Sequence, residues 1–473
     1  MRPTSAAGVL LASLFLSVPS LVQAAGSAPV FLDDFEFGDT GDWSAVSPPR
    51  CDEIRPFDRE VAPSSFLHVA PPPVGSDSSG DGSPGAPFAT IEHAASLAGA
   101  GTAIRLSPGT HLADQFVSDL TGSPSAPIWI GGEPGRLPKP VLAGGGEALH
   151  LVRAKWVVVH DLEIQGASSN GVNADDGGET GNPLASHHLV FRRLAIHDIG
   201  SGGNNDGLKL SGVDDFHVLD SSIARCGGAS SGSGVDCVGC HLGLVARNRF
   251  EQMSGNAVQA KGGSSDVELR WNTLVSPGAR GFNLGGSTGF AFFRPPLSTT
   301  VANAEARNLR AVGNLIVGGD TPFAFVGCVD CVAAHNTVVN PATWLMRILQ
   351  ETTSGGGFTF EAAANGQVVN NLFYFEDGDI STHLNIGPNT APASFDFAHN
   401  LWYAWDAPGA STPTLPSVEV GGIYAEDPLL TAEWGIAGGS PAAGAGAAQV
   451  WLTGDRLGGC YAAPPSIGAH EAP

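Results

Sequence analysis

Lysine is almost missing from this chain of 473 residues, occurring only at Lys139, Lys155, Lys209 and Lys261. Charged residues of all kinds make up 15%, and the net charge is −23. So few and scattered basic residues cannot neutralise a phosphate backbone, which excludes nucleic acid as a partner. Low charge beside 42% hydrophobic residues excludes an intrinsically disordered chain. Helical periodicity is nearly absent, which excludes a bundle. Long apolar runs are absent except at the N-terminus, where Arg2 precedes an apolar stretch from Ala6 to Val22 broken by Pro19. Val22-Gln23-Ala24 closes it with the small-residue pattern of a secretory cleavage site. The stretch is too short and interrupted for a membrane span. Residues 1–24 therefore read as a signal peptide, and the mature chain is expected outside the cytoplasm as a monomer, secreted or held in the periplasm or on the cell surface.

Export permits disulfides. The seven cysteines are Cys51, Cys226, Cys237, Cys240, Cys328, Cys331 and Cys460. Two C-x-x-C spacings are better explained by local disulfides or buried small residues than by zinc, and an odd count leaves at least one thiol unpaired.

What the chain has in excess is glycine, 64 residues of it, implying many turns. Between the turns lie short β-rich runs such as Trp156-Val157-Val158-Val159 and Asp266-Val267-Glu268-Leu269-Arg270. An Asn or Asp recurs at one point before apolar residues: His160-Asp161-Leu162, Leu219-Asp220, Arg247-Asn248, Trp271-Asn272, Gly313-Asn314, His335-Asn336, Asn371-Leu372, His399-Asn400. The spacing is mostly one coil of a β-solenoid, with larger gaps that hold insertions. Asn at a corner can form a coil-to-coil hydrogen-bonded ladder. The expected fold is an all-β, right-handed parallel β-helix.

The ends of the repeat support this. Asp81-Gly82-Ser83, Pro87-Phe88-Ala89-Thr90-Ile91 and Ile104-Arg105-Leu106-Ser107-Pro108-Gly109-Thr110 resemble the opening of extracellular right-handed β-helix proteins, with a short capping helix over residues 88–98. Asp427-Pro428-Leu429, Gly439-Ser440-Pro441-Ala442 and Ile467-Gly468-Ala469-His470-Glu471 resemble their closing segment. The β-helix is expected over 75–471. Residues 25–74 form a small N-terminal segment, in which Phe31-Leu32-Asp33-Asp34-Phe35-Glu36 and Trp43-Ser44 resemble a module of bacterial exported proteins. Pro71-Pro72-Pro73 reads as a linker.

Five segments align on their glycines: Gly171-Val172-Asn173-Ala174-Asp175, Gly207-Leu208-Lys209-Leu210-Ser211, Gly234-Val235-Asp236-Cys237-Val238, Ala257-Val258-Gln259-Ala260-Lys261 and Gly281-Phe282-Asn283-Leu284-Gly285. Alternation sends Val172, Leu208, Val235, Val258 and Phe282 to the core, and Asn173, Lys209, Asp236, Gln259 and Asn283 outward, with Asp175, Ser211 and Lys261 beside them. Half of the lysines thus fall on one polar stripe several coils long, which suits an extended polymer.

Gly203-Asn204-Asn205-Asp206-Gly207-Leu208-Lys209-Leu210 resembles the segment that carries the catalytic lysine in β-helical pectate lyases of the family nine type. Asp175-Asp176-Gly177 resembles that family's calcium-binding aspartates, which implies calcium at Asp175 and Asp176, with Asp206 as a further candidate ligand; the family's next aspartate after the pair is missing. Ala260-Lys261 followed by Ala279-Arg280 resembles the lysine and arginine on adjacent coils of the alginate lyase and chondroitinase B family. Asn256 stands where acidic calcium ligands are expected. Both resemblances imply a polysaccharide lyase acting on an acidic polysaccharide, with Lys261, Arg280 and Lys209 catalytic. An acidic protein holds such a polymer only through local cations or metal. Phe293 is expected to stack on a sugar and Arg294 to hold a carboxylate, from loops beside the groove, while Arg347 and Glu351 read as a structural ion pair. A non-catalytic polysaccharide-binding protein and a glycoside hydrolase are the alternatives. Hydrolysis needs paired carboxylates, and the adjacent pairs Asp214-Asp215 and Asp175-Asp176 point to opposite faces of a strand. The Asp-Pro-His motif of C5-epimerases is missing.

Overall fold

Alternation of apolar and polar residues builds the molecule coil by coil. One turn runs through the strands Leu149–Val152, Lys155–His160 and Glu163–Gln165 and returns at Val172–Asp175. That last strand lies parallel on the first, Asn173 opposite His150. Repetition gives three long parallel sheets of 14, 10 and 12 strands in a right-handed parallel β-helix. The computed structural model describes residues 51, 53–200, 202–228 and 231–473, all in a compact unit spanning residues 46–473. The signal peptide and the Phe31–Ser44 module lie outside the described residues. No helix among the described residues is long and apolar enough to cross a membrane.

The residues expected in the core are there: Val172, Leu208, Val235, Val258, Phe282 and their partners Ala174, Leu210, Cys237 and Leu284 are fully buried. Stacking this apolar row against its copies supplies most of the stabilisation. The capping helix is shorter than expected, Ile91–Leu97, with Thr90 as its N-cap accepting from the His93 N–H. Ile91 and Ala94 close the end of the core.

The asparagine ladder runs through Asn248, Asn272, Asn314, Asn336, Asn371 and Asn400, each amide donating to the Oδ1 of the next at 2.9–3.1 Å. Ser221 accompanies it at one end and Glu419 at the other. Asp161 and Asp220 do not belong to it. They occupy the preceding position, which has positive φ in the coils from Asp161 onward, as at Arg247, Trp271 and His335; Leu162 and Ser221 stand where the later coils have Asn.

The first strand, Ser65–Val69, pairs with Thr102–Leu106 and so lies ahead of the expected start at residue 75. Pro71-Pro72-Pro73 is not a free linker: Ala70 and Phe88 are hydrogen-bonded across it. Two terminal segments cover the outer face of the 14-stranded sheet. Phe57 and Val61 pack on Trp129, Val158 and Val190, with Asp58 paired to Arg192 at 2.9 Å. Leu452 and Trp451 pack on Val312, Val332 and Ala334. A Cys51–Cys460 disulfide joins them across 409 residues of sequence. Cys328 and Cys331 form a local disulfide, and Cys226, Cys237 and Cys240 are buried thiols.

Candidate functional site

The 10-stranded sheet carries the polar stripe. Register places Phe116, His150, Asn173, Lys209, Asp236, Gln259 and Asn283 directly above one another on successive coils. Of these, the stripe from Asn173 to Asn283 is the one that alternation in the sequence assembles. Phe116 and His150 extend it two coils upstream. Leu149-His150-Leu151 carries the same alternation and would have revealed the first extension.

Lys209 is the centre of the stripe. Its ammonium bonds Asp236 and lies 3.2 Å from Asp206 Oδ2. Both carboxylates are fully buried. Burial works against the Lys209 charge, but Asp236 and Asp206 outweigh it and raise its pKa. Burial, aided by the Asp236 charge, pushes Asp206 up to about 6. Asp206 also accepts from the Ser233 N–H at 2.7 Å, whereas Asp236 Oδ1 is buried without a partner. Lys261 sits one coil on from Asp236. Its Nζ is 3.9 Å from Asp236 Oδ2 and 3.4 Å from Gln259 Oε1. Arg280 bonds Asn283 at 3.0 Å and Glu351 at 2.6 Å. The structure thus gathers Lys209, Lys261, Asp236, Gln259, Asn283 and Arg280 on neighbouring coils.

A second cluster lies upstream. His150 stands between Asp175 at 2.7 Å and Glu147 at 3.0 Å. Asp175, then Glu147, raise its pKa to about 9. Asn173 donates to Glu147, and its Oδ1 is buried and unpartnered. Glu147 and His150 carried no motif in the sequence.

The excursion between Gly285 and Ala306 forms one wall. Gly286 lies against the side chains of Gln259 and Lys261. Glu305, fully buried, clips the wall down by accepting from the Gly262 and Thr288 N–H groups and from the Thr288 and Thr352 hydroxyls. Phe293 does not offer a stacking face: it is 2% exposed and packs against Phe360. Arg294 does hold a carboxylate, but the chain's own, gripping Asp176 through Nε at 2.8 Å and Nη2 at 2.9 Å. Arg347 and Glu351 are not a pair either. Glu351 binds Arg280, and Arg347 bonds Asn385 and lies over Trp344.

The three aspartates expected to hold calcium each have other partners. Asp175 binds His150, Asp176 binds Arg294, and Asp206 binds Lys209. Among the described residues, no three carboxylate, imidazole or thiolate groups come together as a metal-ligand set. These residues do not fit a calcium cage.

No family model and no curated protein matches the chain. Among solved structures it is similar to pectate lyase Pel9A, at 14% identity over 88% of this chain and 98% of that one, with a TM-score of 0.52. Others are an alginate lyase from Paenibacillus sp. str. FPU-7, at 13% identity over 70% and 99% with a TM-score of 0.45, and a lacto-N-biosidase from Eubacterium ramulus, at 13% over 76% and 68% with 0.49. At 14% identity the likeness to the first of these establishes a shared fold and leaves the chemistry to the site.

Proposed function

We propose that this chain is a polysaccharide lyase that breaks a uronate-containing polymer by β-elimination. The observation that carries the reading is the convergence of Lys209, Lys261 and Arg280 on one sheet face of a protein with net charge −23. Elimination removes the proton on C5, which is acidic enough only when the neighbouring carboxylate is neutralised. Arg280, at the groove edge, exchanges Glu351 for that carboxylate. Lys209 is pinned between two carboxylates and stays protonated, so it serves as a fixed cation. Lys261 has a single carboxylate at 3.9 Å, is the less tightly held of the two lysines, and acts as the base that takes the C5 proton. The electron pair forms the C4–C5 double bond, the C4–O bond breaks, and the leaving oxygen takes a proton from water.

A second reading, glycoside hydrolysis, has one observation in its favour. Asp206 and Asp236 lie on neighbouring coils on either side of one ammonium, a pairing that adjacent residues on a strand cannot make.

The test is ultraviolet absorbance of unsaturated uronate after mixing mature protein with pectate, alginate and glycosaminoglycans, with and without calcium. The expected result is a rise that Lys261→Ala abolishes. New reducing ends without that absorbance would favour hydrolysis. Neither signal on any polymer would overturn both readings and leave a non-catalytic polysaccharide-binding protein.

A further inference from the structure

The groove is not uniform in charge along its length. Its upstream half contains Glu147, Asp175, Asp206 and Asp236, four carboxylates set against His150 and Lys209. Downstream the cations dominate: Lys261, Arg280 and Arg347, with Glu351 and the more distant Asp320 as carboxylates. The stripe from Phe116 to Asn283 spans six coil steps, roughly 30 Å at the usual strand spacing, so a bound polymer meets both regions at once.

The upstream end also has a side chain that charge does not explain. Phe116 is 48% exposed, in register with His150 and edge-on to its ring at 5.1 Å. An open aromatic face beside the Glu147 and Asp175 carboxylates is the chemistry that recognises an uncharged sugar. The ring takes the C–H face, and the oxygens accept from hydroxyl or N–H groups. A uronate placed there would meet like charge.

We infer that Phe116 and Glu147 form a subsite for a neutral sugar, and that the substrate is a uronate polymer that also contains uncharged residues. This inference rests on the lyase reading for its downstream half only. The uronate lies over Lys261 and Arg280, and its neutral neighbours extend toward Phe116.

Two measurements test it. Initial rates of unsaturated product are compared on homopolyuronates (polygalacturonate, polymannuronate) and on alternating polymers (hyaluronan, chondroitin). In parallel, native gels containing each polymer measure retardation of the protein, which needs no cleavage. The expected result is preference for alternating polymers by about tenfold or more in rate, with stronger retardation by the same gels. Phe116→Ala should raise KM on them with little change in kcat, and Glu147→Gln should narrow the preference. Cleavage of homopolyuronates at equal or higher rate would overturn the subsite while sparing the lyase. Retardation by alternating polymers without unsaturated product would spare the subsite and overturn the lyase. Neither product nor retardation with any polymer would overturn both.

Discussion

Lys209 shows how a single residue couples stability to the site. Its ammonium compensates two carboxylates with no exposure to water, so removing it leaves Asp206 uncompensated and Asp236 with only Lys261, 3.9 Å away. Lys209→Met is expected to cost about 3–5 kcal/mol, measured by chemical denaturation. Adding Asp206→Asn and Asp236→Asn should recover much of that loss, because the buried charge is then gone. Lys261→Ala should cost far less, since its one carboxylate partner is 3.9 Å away. The two lysines were legible in the sequence because both sit on regular strands where alternation decides which side chains face out. Phe293 and Arg294 were not. They lie in an excursion with no period, and their burial is set by Phe360 and Asp176, partners distant in sequence.

At the scale of elements, the ladder and the wall do different work. Asn314 receives from Asn272 and donates to Asn336 and to the Leu269 carbonyl, all buried. Asn314→Ala removes these bonds and leaves neighbouring groups unsatisfied, an expected loss of about 3 kcal/mol in denaturant unfolding. The ladder could be read from spacing, but its beginning could not. Asp161 and Asp220 resemble ladder residues in sequence while occupying the left-handed position before it, and only coil register separates the two. The wall is anchored at Glu305 and at Arg294. Glu305→Gln, which keeps the shape but turns one acceptor oxygen into a donor, is expected to free the 286–305 excursion. The signal would be faster limited proteolysis there, and lower activity with thermal stability less affected.

For the whole molecule, the two terminal segments act as a strap over the 14-stranded sheet. Cys51→Ser with Cys460→Ser should lower stability by about 4 kcal/mol, within the usual range for loss of a native disulfide. A buried histidine lies under the strap. Burial lowers His335 from 6.5 to about 4, beside Tyr461 at 4.5 Å. Unfolded, that imidazole takes up its proton near pH 6.5; folded, it resists until about 4. Stability is therefore present above 6.5 and lost as pH falls through about 4. The melting temperature should drop across that window, and less in His335→Gln. The repeat and the β-helix were legible from the sequence, but the strap was not. Its closure depends on the bond between Cys51 and Cys460, and seven cysteines permit many pairings.

That strap changes how the protein bears a load. If one end is tethered and the other is pulled, tension passes from residue 51 to residue 460 through a covalent bond. The coils between them are bypassed and do not unwind. A β-helix without such a bridge would be peeled one rung at a time. Here pulling on the ends leaves the groove slack, and an oxidised chain stretched by its termini should yield only about as much length as the tails outside the bridge contain. The reduced chain should lengthen in coil-sized steps.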